Sequence, residues 1–267
     1  MSTATGRTTL VHLSDVHATD GELLYGAVDG LERLERVGAY VVDAGITPEA
    51  IVITGDLVQR GHRGAYPALA RALVRLQDAV GVPVLTTLGN HDDPEAARVL
   101  PGHGSGHDRV VELGGLRLVL LDSHDGALGP SRLAWLADSL ATPAPLGSVV
   151  ALHHPPLPSP LPTLAQQGLR DAEALLDVLA GTDVRVLLAG HFHHPLGAVV
   201  RSIPVSVGPS LAYHQVMNAG PDRVSGHDSA MFSLVQLGDD SVTGTTMSLR
   251  SPEPLFTSVA RRASVCA

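Results

Sequence analysis

Leu88-Gly89-Asn90-His91-Asp92-Asp93 follows the apolar run Val82 to Leu85 and comes just before a Pro-started stretch. An apolar run that stops at a glycine and opens into Asn-His-Asp reads as a buried strand delivering polar groups at its C-terminal end, which is where α/β proteins build sites. Asn offers a metal a neutral carbonyl oxygen, and His offers a nitrogen ligand or a titratable proton. Alone, the segment reads more readily as a turn, because Gly, Asn and Asp are turn residues. Four more clusters at the ends of apolar runs tip the balance: Asp15-x-His17, Gly55-Asp56, His153-His154 and Gly190-His191-Phe192-His193. Any one of these has a bland reading as a turn or a satisfied core histidine. Five in succession constitute a site.

The donors are carboxylates, imidazoles and one amide, too many for a single tetrahedral zinc and of the wrong kind for calcium. Mixed oxygen and nitrogen ligands suit two transition-metal ions sharing a bridging carboxylate. Ions roughly 3.5 to 4 Å apart would acidify a bridging water and hold both non-bridging oxygens of a phosphoryl group. That chemistry is phosphoester hydrolysis.

The elements that must position these residues alternate along most of the chain. Thr9 to Leu13 predicts a strand with Asp15 and His17 at its mouth, Leu31, Leu34 and Val41 a helix, and Ile51 to Thr54 a strand running into Gly55-Asp56. Tyr66, Leu69, Leu73, Leu76 and Val80 form the stripe of a second helix. Asp93 to Leu100 reads as helical, and Pro101 to Asp108 as a loop. Val110 to Leu113 and Leu116 to Leu121 around Gly114-Gly115 predict a hairpin. Leu133, Leu136 and Leu140 mark a helix, Ser148 to Leu152 a strand ending in His153, and Pro158 to Pro162 a stiff loop. Ala172 to Leu179 is a further helix, and Val184 to Ala189 a strand leading to His191 and His193. Beyond it Ile203 to Val207, Met231 to Leu237 and Val242 to Leu249 read as antiparallel strands. Such an order predicts an α/β protein with two packed sheets and helices outside them.

The 267 residues, 44% hydrophobic and 17% charged, suit one domain over 1–267. Within it, 252–267 reads as a mobile tail or an oligomer contact. No apolar window approaches a membrane span, and Met1 to Thr9 lacks the apolar core of a signal peptide, so a cytoplasmic protein is expected. The single cysteine, Cys266, excludes an internal disulfide and a thiolate metal cluster. A net charge of -9 argues against nucleic acid as a partner, while bound cations would still admit a small phosphate ester.

The order D-x-H, G-D, G-N-H-D, H-x-P, G-H-x-H from Asp15 to His193 resembles the calcineurin-like metallophosphoesterase family. The resemblance implies a four-layer α-β-β-α sandwich of two mixed sheets. It implies one metal ion on Asp15, His17, Asp56 and His193, and another on Asp56, Asn90, His153 and His191, with Asp56 bridging. His91 would be the catalytic residue, facing the phosphate and the leaving oxygen beside Asn90. His154 would stand beside the metal rather than ligate it. Iron and manganese are the expected ions, with zinc or cobalt as further fits. Gly-Asn-His-Asp-Asp and His-His-Pro-Pro are similar to the class III cyclic-nucleotide phosphodiesterases. This implies hydrolysis of 3',5'-cyclic AMP by direct attack of a metal-bridging hydroxide, and a homodimer. The chain departs from many relatives at Gln59, where an acid orienting the histidine equivalent to His91 is usual.

Two rivals remain at this point. One is a broad phosphodiesterase or phosphomonoesterase, or a glycerophosphodiesterase; the other is a non-catalytic scaffold that keeps the fold. His103, His107 and His124 lie in loops that could border the pocket and read as solvated loop histidines.

Overall fold

The computed structural model describes residues 7–250 and 253–258. Its first half alternates β1 (Thr8–Leu13), α1 (Gly30–Asp43), β2 (Ala50–Thr54), α2 (Tyr66–Val80) and β3 (Val84–Thr87). Every residue of β2 and β3 is buried, as parallel strands covered on both faces are. Asp29 starts α1 by accepting hydrogen bonds from the Leu31 and Glu32 backbone N–H groups at 2.9 and 3.0 Å. Gly81 ends α2 in the left-handed region, φ 79°, with its N–H on the Gln77 carbonyl at 2.7 Å.

The hairpin β4 (Arg109–Leu113) and β5 (Leu116–Leu120) comes next, followed by α3 (Gly129–Ser139), β6 (Ser148–Ala151), α4 (Ala172–Leu179) and β7 (Val184–Ala189). The last strands are β8 (Leu196–Val200), β9 (Ile203–Val207), β10 (His214–Gln215), β11 (Gly226–His227), β12 (Met231–Gly238) and β13 (Ser241–Ser248). One sheet has the order β13-β12-β1-β2-β3 and the other β4-β5-β6-β7-β9-β8, with β10 and β11 forming a separate ribbon.

Both large sheets are mixed. In the first, β1, β2 and β3 are parallel and β12 antiparallel. In the second, β5, β6, β7 and β9 are parallel. Three apolar clusters account for the layering. Leu10, Val52 and Leu85 of one sheet meet Leu118, Val149 and Leu188 of the other between the sheets. Leu34, Leu69 and Leu73 pack α1 and α2 on the outer face of the first, and Leu136, Leu175 and Leu176 pack α3 and α4 on the outer face of the second. The result is the expected α-β-β-α sandwich.

Three expectations need correction. Asp93 to Leu100 contains only a short 3-10 turn over Ala96–Val99. Strand β8 was not foreseen, and β9 runs parallel to β7 while pairing antiparallel with β8; the purely antiparallel ending holds only for β12 and β13. The chain passes to the sheet edge as β8, reverses at Arg201 and Ser202, φ 48° and 69°, and returns between β7 and β8. Paired positive φ is the two-residue hairpin geometry, reached here without the Asn-Gly that announces it. Of the C-terminal stretch, 253–258 is exposed and outside any helix or strand; 252 and 259–267 lie outside the described residues. Among the described residues no helix is long and apolar enough to cross a membrane.

Candidate metal centre

Parallel pairing in register brings the C-terminal ends of β1, β2 and β3 to one edge, with Leu13 beside Ile53 and Thr54 beside Thr87. Strands β6 and β7 end at the facing edge of the second sheet. The residues just past these ends leave extended conformation abruptly. Asp15, His17, Asp56, His191 and His193 all have positive φ, between 47° and 73°, a region that Asp and His enter more readily than most residues but at a cost. Glycine lets the loops close on one another: a Cβ at Gly55 (φ 81°) would lie 2.6 Å from His153 Nδ1, and one at Gly89 would collide with the backbone N of Asp56.

All seven expected ligand residues meet here. Ligand atoms of Asp15, His17, Asp56 and His193 lie within 4.8 Å of one another, and these four residues are buried. On the other side His153 Nε2 is 3.1 Å from both Asn90 Oδ1 and His191 Nδ1. Asp56 Oδ2 stands between the two groups, 3.6 Å from His17 Nε2 and 3.4 Å from His153 Nε2.

The hydrogen bonds behind the histidines show what the centre will accept. His17 donates its Nδ1–H to Gln59 Oε1 (2.8 Å), His153 to the Thr54 carbonyl (2.8 Å) and His193 to the Tyr213 carbonyl (3.1 Å). In the neutral form that a metal ligand takes, an imidazole has a single N–H, so each of the three would then turn an Nε2 lone pair inward. His17 Nε2 and His193 Nε2 then face each other at 3.1 Å, and His193 Nε2 faces Asp15 Oδ1 at the same distance. Asp15 Oδ1 and His191 Nε2 are buried without a hydrogen-bond partner. Acceptors opposed to acceptors at hydrogen-bond distance repel unless a cation lies among them. The donor set therefore fits metal ions, and mixed imidazole, carboxylate and amide donors suit first-row transition metals.

The electrostatics carry the same demand. Burial opposes ionisation of Asp15 and Asp56, yet the histidines around them, His193 for Asp15 and His153 for Asp56, hold both carboxyls well below the usual range. Burial lowers His17 to about 4 and His191 to about 3. His153 is also opposed by burial but is pushed up to about 9 by Asp56. The centre attracts positive charge while burial keeps His17 and His191 unprotonated, as ligands must be.

His91 sits at the rim. Its backbone N–H donates to Asp56 Oδ1 (2.8 Å), its Nδ1 bonds Gln59 Oε1 (3.1 Å), and its ring stands edge-on to His17 at 4.8 Å. One amide oxygen thus serves both rings. Burial lowers the His91 pKa, Asp56 raises it and Arg60 lowers it. Arg60 also donates to the Asn90 carbonyl at 2.8 Å.

Sequence reasoning left Asp92 without a role. The structure buries it and gives its two oxygens four donors: Leu57 N (3.0 Å), Val58 N (2.9 Å), Gly89 N (2.9 Å) and Tyr66 OH (3.1 Å). It clamps the loop carrying Asp56 to the loop carrying Asn90 and His91, and burial with Asp56 nearby pushes its pKa up to about 7. Its place inside Gly-Asn-His-Asp was the available signal. Tyr213 had none. It lies in the segment before β10, tied to the exit of β1 by Leu211 N on the Ser14 carbonyl and Ala212 N on the Asp15 carbonyl, and its ring packs on His193 at 4.1 Å. His124 lies after β5 with Nδ1 2.9 Å from both Asp122 oxygens. His103 and His107 bond each other through Nδ1 at 2.9 Å, and His103 is buried rather than solvated.

Comparison with known proteins agrees with this geometry. Residues 8–195 match the family model described as calcineurin-like phosphoesterase. The cAMP/cGMP dual specificity phosphodiesterase of Mycobacterium tuberculosis is 39% identical over 266 residues, covering 94% of this chain and 82% of the relative. A probable cyclic nucleotide phosphodiesterase of Rhodococcus erythropolis is 39% identical over 90% of this chain and 83% of its own length. Among solved structures, a dimetal phosphatase from Danio rerio superposes with a TM-score of 0.64 at 16% identity, over 91% of this chain and 96% of that one, a likeness of fold. A match over most of the chain that contains every cluster of the centre, together with relatives of this similarity, establishes that the chain belongs to the calcineurin-like phosphoesterases and is a hydrolase.

Proposed function

We propose that this enzyme hydrolyses the phosphodiester of a cyclic nucleotide, 3',5'-cyclic AMP foremost. The relatives named for cyclic nucleotides span nearly all of the chain, and the observation that carries the reading is Asp56 Oδ2 lying 3.6 and 3.4 Å from imidazole nitrogens of two separate donor groups. Asp15, His17, Asp56 and His193 would hold one ion, and Asp56, Asn90, His153 and His191 the other. Iron and manganese are the proposed ions, zinc or cobalt the alternatives. When bound, two such ions supply an acidified water and neutralise the phosphoryl oxygens.

The remaining work falls to the chain. Gln59 Oε1 takes the Nδ1–H of both His17 and His91, which points the Nε2 of His17 to the metal and that of His91 to the substrate. To act as the acid His91 must enter as the imidazolium: it passes its Nε2 proton to the departing ribose oxygen and keeps its Nδ1–H on Gln59, and the Asn90 amide would lie beside the phosphate. Asp92 keeps Asp56, Asn90 and His91 in one frame. The deciding experiment is elemental analysis of the purified protein together with steady-state rates on cyclic AMP and on bis(p-nitrophenyl) phosphate with added manganese. Two metals per chain and turnover of cyclic AMP are expected. Turnover of generic esters alone would replace this reading by a broad phosphoesterase. A metal-free, inactive protein would make it a scaffold. A homodimer and a cytoplasmic location are also proposed, the first to be measured by light scattering.

A further inference from the structure

His154 follows the ligand candidate His153 and packs against the same centre, its ring centroid 4.9 Å from that of His153 and 4.6 Å from that of His191. One of its nitrogens lies within 4.8 Å of ligand atoms on both, so by proximity alone His154 could be a third imidazole on the same ion. Ser123 argues otherwise. The Ser123 hydroxyl oxygen receives the backbone N–H groups of His153 (3.2 Å) and His154 (3.1 Å) and stands 3.1 Å from His154 Nδ1. A hydroxyl accepts twice and donates once. With both acceptor positions taken, its hydrogen goes to His154 Nδ1, and the neutral ring must carry its own hydrogen on Nε2.

That Nε2–H has no hydrogen-bond partner among the described residues, although the ring is buried to 4% exposure. Nor is it one of the nitrogens that the fold seals off, as His191 Nε2 is. It borders Gly126, where an added Cβ would lie 3.9 Å from His154 Nε2 and 2.7 Å from Arg170 Nη1. The Arg170 guanidinium, on an exposed residue, makes no hydrogen bond or ion pair among the described residues. A fixed N–H and an unpaired cation therefore lie about one glycine next to the metal centre, and the missing Cβ is what lets the guanidinium come this close.

We infer that His154 is a substrate-binding residue that donates its Nε2–H to an anionic oxygen of the bound phosphate ester, with Arg170 adding charge at the rim and Ser123 fixing the tautomer. The inference deepens the proposed phosphoester hydrolysis and rests on it, but it does not depend on which ester is the natural substrate. Ser123 is a positioning residue, fixing the His154 ring and, by accepting both backbone N–H groups, the turn that carries His153 and His154.

The test uses metal-loaded protein with bis(p-nitrophenyl) phosphate as substrate and inorganic phosphate as competitive inhibitor. His154→Phe keeps the ring shape and removes the donor. It should retain both metals, raise the inhibition constant of phosphate and lower kcat/KM by about tenfold to a hundredfold, the range for a hydrogen bond to a charged group. His154→Gln, which keeps an N–H donor, should recover part of that loss. Ser123→Ala should raise the phosphate inhibition constant in the wild type but not further in the His154→Phe background, whatever the loss of its backbone hydrogen bonds costs in stability, and Arg170→Gln should act mainly on KM. Nitrogen-15 NMR of the zinc-loaded wild type should show His154 with Nε2 protonated. Loss of a metal in His154→Phe would make His154 a ligand and overturn the inference, as would an Nδ1-protonated ring. An unchanged phosphate inhibition constant with lowered thermal stability would make it a packing residue. Failure to hydrolyse cyclic AMP, with these effects intact on the generic diester, would count against the proposed substrate and leave His154 as inferred.

Discussion

A ligand residue in the left-handed region costs about 1 to 2 kcal/mol, and five of the seven candidate ligands are held there. The fold tolerates this because these residues are tied to neighbouring chain, as Asp15 N is to the Gly55 carbonyl at 3.1 Å and His191 N to the Asp15 carboxylate at 3.1 Å. Their side chains differ in how many partners they serve. Asp56 lies between both donor groups, whereas Asp15 belongs to one. Asp56→Ala is therefore expected to lose both ions and nearly all activity, and Asp15→Ala to retain one ion, with elemental analysis as the check. His91 belongs to neither group. His91→Ala should keep two metals yet slow cyclic AMP, whose ribose alkoxide leaves poorly, far more than a nitrophenyl diester, since general acids contribute about a hundred- to ten-thousand-fold. Equal losses on the two substrates would assign His91 to stabilising phosphoryl charge instead.

At the scale of elements, the centre depends on two loops that leave neighbouring parallel strands and are joined by one carboxylate. Removing Asp92 strands four donors, three of them backbone N–H groups, and each buried unpaired donor costs about 1 to 3 kcal/mol. Asp92→Ala should lose at least about 3 kcal/mol in urea unfolding and weaken metal binding in parallel. Tyr66→Phe removes only the hydroxyl, which also accepts from Asp93 N at 2.7 Å. It should cost about 1 to 2 kcal/mol while leaving metal content intact. Metal loss as severe in Tyr66→Phe as in Asp92→Ala would mean that the clamp is not the carboxylate.

For the whole molecule, groups away from the candidate ligands bear on acid stability and on access of charged substrates. His103 bonds Thr86 Oγ1 at 2.8 Å, and its pKa is lowered to about 3 by burial first, then by Arg109 and His107. The unfolded chain takes up a proton near pH 6.5 that the folded chain refuses until about pH 3. The contribution is thus complete above the unfolded value and is lost as pH falls through that window, at up to about 1.4 kcal/mol per pH unit. His103→Gln should flatten the acid limb of the unfolding free energy of the metal-free chain; an unchanged slope would mean that His103 is not the group responsible. The net charge of -9 repels long polyanions while leaving a small diester free to reach the strand ends. Little nuclease activity is expected, and rapid degradation of single-stranded RNA with cyclic AMP untouched would contradict this.

The chemistry of this chain is local in sequence, and its support is not. Asp15, His17, Asp56, Asn90, His91, His153, His191 and His193 stand immediately after apolar runs, so strand periodicity and residue type together sufficed to mark them, along with both sheets and the outer helices. What periodicity cannot carry is pairing between distant segments. Nothing near Leu196 announces that β8 takes the sheet edge and β9 inserts beside β7, because an edge is defined by which strands are already neighbours. Gln59 reads as a missing acid until its oxygen is found under two imidazoles. Tyr213, Thr54 and Ser123 act through backbone carbonyls or a hydroxyl, groups with no distinctive spacing. Tertiary structure alone decided which nitrogen each histidine turns inward, since the tautomer is set by an acceptor or donor brought from elsewhere in the chain.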